Sequence, residues 1–228
     1  MHIEPGIVDG TKIVLSYATA TAACGYAVKL AAQTVREQGS VSFALRASAT
    51  TALVFAFFEM LPHFSVGVSE VHFIFGSTLF LIFGAAPAAF GLALGLLLQG
   101  LFFVPSDLPQ YGMNVTTLLV PLFAIGALAN RIVARDTAYV DLFYRQALSL
   151  STAYQAGIVA WVAFWAIYGR GLGADNLSSI ATFGASYALV IVVEPLLDLG
   201  VLAMAKSLRG VFDGAFVTRR LHHAEGLA

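Results

Sequence analysis

A single cysteine in 228 residues, Cys24, excludes a disulfide framework and any metal site built on several thiolates. Charge is scarce too: Lys, Arg, Asp and Glu make up 11% of the chain, against about 25% in soluble domains. The charges nearly cancel, 12 basic against 13 acidic, so the basic footprint of a nucleic-acid binder is missing. The chain also lacks a Gly-x-x-x-x-Gly-Lys-Ser/Thr phosphate loop, a His-Glu-x-x-His motif and a complete nucleophile elbow, since Gly67-Val68-Ser69-Glu70-Val71 has no closing glycine. What is abundant is apolar. Hydrophobic residues are 59% of the chain, and a mean hydropathy of +0.83 over its whole length predicts an all-α polytopic membrane protein rather than a soluble domain with one anchor.

Residues 71–106, 108–130, 146–169 and 176–193 contain no Lys, Arg, Asp or Glu. The first run is too long for one helix of about 20 residues and is broken at Ala85-Ala86-Pro87, so it reads as a helical hairpin. Two further spans, near 13–33 and 42–61, precede it; Lys29 and Arg46 lie close enough to their shared end to snorkel. The C-terminal span is taken as 180–205, across Glu194 and Asp198. Seven transmembrane helices are therefore predicted, in one integral domain over 1–228 with an N-terminal segment at 1–12 and a tail at 206–228.

Arg36, Arg131, Arg135, Arg145, Lys206, Arg209, Arg219 and Arg220 fall on one side of this topology, which places the N-terminus outside and the C-terminus in the cytoplasm of a multi-pass plasma (inner) membrane protein. Glu4 and Asp9 stand where a signal peptide has basic residues, so the start is expected to be retained.

His2, His63 and His72 then lie at or just below the outer face, while His222 and His223 belong to the tail. The span over 71–86 offers about 24 Å of helix against a hydrocarbon core of about 30 Å, so its outer end is expected to be recessed beneath a cup into which residues 1–12 can fold. The second position lets a terminal amine, a backbone nitrogen and an imidazole Nδ1 chelate one ion in fused rings, a planar nitrogen set suited to Ni(II) or Cu(II). A histidine at this position is equally compatible with no role, His72 with an interfacial histidine, and His63 with a surface residue.

Three segments carry a resemblance. The opening Met1-His2-Ile3-Glu4-Pro5-Gly6, the stretch Ser69-Glu70-Val71-His72-Phe73, and Leu98-Gln99-Gly100-Leu101-Phe102-Phe103 with Tyr111-Gly112-Met113-Asn114-Val115 resemble corresponding motifs of the CbiM/NikM family. Those proteins are the substrate-binding membrane components of energy-coupling-factor cobalt and nickel transporters. The chain departs from the family pattern in the order of Glu4 and Pro5, in Glu70-Val71 where the family has Ser-Gly, and in Val104-Pro105-Ser106-Asp107 where it has a glycine-rich acidic turn.

The resemblance implies a seven-helix fold with the N-terminal segment inserted, metal ligation by Met1, His2 and His72, and Gln99 and Asn114 as outer groups tying the segment down. It also implies cobalt or nickel as the transported substrate with no organic cofactor, and a membrane coupling subunit and two cytoplasmic ATPase subunits as partners. Ligation by imidazole and amine predicts binding that weakens below about pH 6 to 7.

The acids Glu4, Asp9, Glu59 and Glu70 cluster on the outer side, and Glu70 is expected beside the metal as a further outer group. Glu194 and Asp198, one turn apart, read as a structural pair with Arg46 as a possible partner. Small residues recur every four positions at Ala44, Ser48, Ala52 and Ala56, and at Ala23, Ala27 and Ala31; one such stripe is a candidate docking face, and internal packing is the alternative. Two other classes are weaker: an intramembrane metal enzyme using Glu59, His63 and His72, and a seven-helix sensor, whose Schiff-base lysine would belong at midspan, where the charge is Glu194. No enzymatic activity is expected.

Overall fold

In a computed structural model the described residues are 2–134 and 137–207. They form seven α-helices: α1 (Ile13–Gln38), α2 (Ser40–Met60), α3 (Gly76–Phe83), α4 (Ala85–Phe102), α5 (Tyr111–Ile132), α6 (Tyr144–Arg170) and α7 (Ala174–Ser207). A two-stranded antiparallel hairpin, β1 (Phe64–Val66) and β2 (Ser69–Val71), precedes α3. Met1, most of the 206–228 tail with His222 and His223, and Arg135 lie outside the described residues.

The seven expected spans meet seven α-helices of unequal length among the described residues. Six helices among the described residues are long and apolar enough to cross a membrane, but α3 has only eight residues, or about 12 Å against a core of about 30 Å. The uncharged run begins inside β2 and continues through residues 72–75, which are not helical. Its break falls at Gly84, whose φ of 91° ends α3, and Pro87 sits in the first turn of α4, where its missing N–H costs nothing.

Glycines set the closest packing. A Cβ on Gly91 would lie 2.4 Å from Thr50 Cβ, and one on Gly95 2.7 Å from Val54 Cγ1, so α4 lies backbone-close on α2. The rest of the core is apolar and continuous from the N-terminal segment through α4, α5, α6 and α7. The α1 stripe of Ala23, Ala27 and Ala31 is buried, the first two within this core. The α2 stripe points the other way: Ala44, Ser48 and Ala52 are exposed and Ala56 half-buried, while Arg46, Ala47, Thr50, Val54 and Phe58 face inward.

The buried charges depart from expectation. Arg46 does not pair with Glu194 or Asp198; it donates to the Phe83 carbonyl at 2.8 Å and to Gln38, satisfying a carbonyl at the end of α3. Glu194 instead accepts from the backbone N–H groups of Ile74 and Phe75, each at 2.8 Å, and from Gln155. Asp198 accepts from Ser77 at 2.7 Å, from Ser151 at 2.5 Å and from Thr78. Glu194 therefore holds the backbone just before α3, and Asp198 holds the hydroxyls of its first turn.

Candidate metal centre

Hydrogen bonding pins the N-terminal segment. Ile3 bridges to Ser69 antiparallel, Glu4 N–H donates to the Val68 carbonyl at 3.1 Å, and Glu70 N–H donates to the His2 carbonyl at 3.0 Å. Residues 2–4 thus add a short edge to β2. Asn114 Oδ1 on α5 accepts the Ile3 N–H at 2.8 Å, and Ser69 Oγ donates to the His2 carbonyl at 2.8 Å. Ile3, Ile7 and Val8 are buried in the core. Lys12 Nζ donates to the Gly169 carbonyl at 2.7 Å and Arg170 donates to Gly6 at 3.3 Å, so both cations at this end hold backbone across the segment.

Two glycines admit this arrangement. Gly67 turns the hairpin at φ 65°, and a Cβ there would lie 2.3 Å from the Ser179 carbonyl; at Gly169 a Cβ would lie 1.9 Å from the Ile7 carbonyl oxygen.

The consequence is that His2 from the N-terminal edge and His72 from the segment after β2 come together, with ring centroids 5.4 Å apart, and both are buried. Glu70 lies between them. Its Oε2 is 2.8 Å from His2 Nδ1 and 2.7 Å from His72 Nε2. Asp107, in the 3-10 turn between α4 and α5, places Oδ2 3.0 Å from the same His2 Nδ1. One ligand atom from each of His2, Glu70 and His72 falls within 4.8 Å of the others, a grouping able to hold a metal ion. Phe58 stands edge-on to both imidazoles, and His63, exposed, stacks on His72 at 4.9 Å.

Burial lowers the basicity of both imidazoles, to about 3 for His72. Burial also works against ionisation of Glu70, but the hydrogen bonds from His2 and His72 outweigh it and hold the carboxyl well below its ordinary range. Near neutral pH the arrangement is two neutral imidazoles donating to one carboxylate. The nitrogens that donate to Glu70 are His2 Nδ1 and His72 Nε2, so ligation through them requires those protons to leave or the tautomers to change.

Of the remaining sequence candidates, Gln99 is buried with its Oε1 lacking a hydrogen-bond partner among the described residues, and no hydrogen bond joins its side chain to the segment. Its neighbour Gly100 lines a small cavity with His2, Asp107 and Asn114. Asp107 was not singled out from sequence as a site residue; the signal was an acid in the turn whose pattern differs most from the family's glycine-rich one. Glu59 and His63 do not join the ligand grouping.

The family model described as "Cobalt uptake substrate-specific transmembrane region" (CbiM) matches residues 2–210. No curated protein matches the chain. Two solved structures share its fold: a truncated transition metal transporter, with a TM-score of 0.64 and 16% identity, covering 91% of this chain and 97% of that one; and a transition metal transporter, with a TM-score of 0.63 and 16% identity, covering 90% of each.

Proposed function

The chain belongs to the cobalt uptake substrate-specific transmembrane family, and from this premise we propose that it captures cobalt or nickel from outside the cell as the substrate-binding membrane component of an energy-coupling-factor ABC transporter. Metal transport across a membrane is the family's business; the choice of ion, the orientation and the partners are our reading. Met1 contributes its amine, His2 its backbone nitrogen and Nδ1, and His72 its Nε2. Asn114 supports the segment from behind, and Glu70 sits beside the ion. The chain itself carries out no catalysis. A coupling membrane subunit and two ATPase subunits supply the energy, and the exposed Ala44, Ser48, Ala52 and Ala56 stripe on α2 is the docking face for the coupling subunit.

The observation that carries this reading is the pairing of residues 2–4 on β2, which brings two histidines seventy positions apart to one carboxylate in a nearly solvent-free site. Positive ends support the orientation: Lys206 Nζ donates to the carbonyls of Val140 and Leu142, so the end of α7 and the α5–α6 connection share the face opposite the histidines.

The test is direct. Purified protein is titrated with Co(II) and with Ni(II), and one equivalent of each is expected to bind. In His72→Ala affinity is expected to fall by more than the roughly 10–100-fold typical of losing an outer-shell group. Unchanged affinity in that variant removes His72 from the site.

A further inference from the structure

We propose that Glu70 is itself a metal ligand, filling a position above the plane of nitrogen donors, and that it biases the site toward cobalt. The inference rests on the ligand set proposed above and extends it.

For metal–ligand bonds of about 2.0–2.1 Å, ligands at right angles lie about 2.8–3.0 Å apart and ligands at the tetrahedral angle about 3.3–3.4 Å. Glu70 Oε2 lies 2.8 Å from His2 Nδ1 and 2.7 Å from His72 Nε2. A single oxygen thus stands at right-angle spacing from both imidazole nitrogens. With the amine, the backbone nitrogen and Nδ1 at three corners of a plane and His72 at the fourth, a donor at right angles to both imidazoles is apical.

Position in the chain points the same way. Glu70 belongs to β2, whose backbone pairs with residues 2–4; the strand that carries the carboxylate also carries the chelating segment, and its N–H donates to the His2 carbonyl. Its side chain is partly exposed, whereas the imidazoles around it are buried. Asp107 Oδ2, on the other contact of His2 Nδ1, adds a second negative group without touching His72 among the described contacts.

The chemical consequence follows from geometry. A planar all-nitrogen set suits Ni(II) and Cu(II), whereas an added carboxylate oxygen raises the coordination number and suits ions such as Co(II) that do not favour a bare plane.

The test uses the full chain, wild type and the variants Glu70→Gln and Glu70→Ser, loaded with Ni(II) alone and with Co(II) alone. In wild type the nickel K-edge should lack the pre-edge shoulder of a square plane, and in Glu70→Ser that shoulder should appear. Co(II) affinity should fall about tenfold or more in Glu70→Ser while Ni(II) affinity changes less than about threefold, with Glu70→Gln intermediate. If Glu70→Ser fails to fold, Glu70→Gln carries the comparison, since it keeps the side-chain length and loses the charge. A nickel edge and a cobalt-to-nickel preference identical in wild type and both variants overturn the proposal and reduce Glu70 to a hydrogen-bond acceptor. His72→Ala separates the two readings: lost binding there with an unchanged edge in the Glu70 variants overturns the apical ligand alone, whereas retained binding overturns the ligand set and the apical ligand together.

Discussion

Acids flank the start of α3 on two sides, and the two sides are built differently. Glu70, before the helix, retains side-chain exposure of 21% and accepts from two imidazoles, each able to become a metal ligand. Glu194 and Asp198, behind the helix, are essentially inaccessible, and among the described residues they accept from backbone N–H, hydroxyl and amide groups. Partners that can exchange a proton for an ion make a binding site. Saturated partners make an anchor. The anchor matters to the site because Ile74 and Phe75 lie two and three residues after His72, and Phe75 holds a left-handed φ of 54° that a bulky residue adopts only when its surroundings impose it.

The sharpest way to break this contrast is to remove the anchor. Glu194→Ala leaves two buried N–H groups without acceptors, each costing about 1–3 kcal/mol, so the variant is expected to lose about 2–6 kcal/mol of stability. Metal affinity in the surviving folded fraction should weaken far less than in His72→Ala. Melting in detergent with parallel Co(II) titration reads both; a variant that melts like wild type but binds no metal would make Glu194 part of the site. A milder cut falls on the segment's seat. Gly169→Ala puts a Cβ where the Ile7 carbonyl oxygen stands, so Co(II) affinity is expected to fall about tenfold with helix content unchanged. Wild-type affinity in Gly169→Ala would mean that residues 2–8 need not sit against α6.

The smallest effect is the pH dependence of stability. The unfolded chain protonates its histidines near about 6.5, while folded His72 resists protonation down to about 3, so below about pH 6.5 the unfolded state binds more protons and stability falls as pH falls through that window. Glu70 acts in the same direction at lower pH: its folded form stays ionised where the unfolded carboxyl protonates, near about 4.3, and the stability it contributes is lost below that. Melting temperatures of chelator-treated protein should decline from pH 7 to pH 5, and less steeply in His72→Ala. Equal slopes in the two proteins would place the titration elsewhere.

Hydropathy made the long helices legible, because an uncharged run of twenty apolar residues has few alternatives to a span. It could not see that residues 71–75 leave the helix. Val71, Phe73, Ile74 and Phe75 are as apolar as the residues of α3; Val71 instead pairs in β2, and the N–H groups of Ile74 and Phe75 are taken by the Glu194 carboxylate, 120 and 119 positions away. The same nonlocality hid the partner of Arg46: the sequence offered acids, and the fold offered the carbonyl of Phe83 at a helix end. At the site, His2 and His72 were legible because residue type and position already limit what they can do. Asp107 was not, since only the turn after α4 decides that its carboxylate reaches His2. The small-residue stripes were visible as patterns, but only packing separates the buried one on α1 from the exposed one on α2.

The central claim is that an ion is gripped by the very beginning of the chain folded onto β2. The direct measurement is Co(II) and Ni(II) loading of protein carrying a few extra residues ahead of Met1, beside unmodified protein with the same helix content. The account predicts that loading is lost in the extended protein, since the amine is displaced from its chelate position. Full loading at unchanged affinity would contradict it.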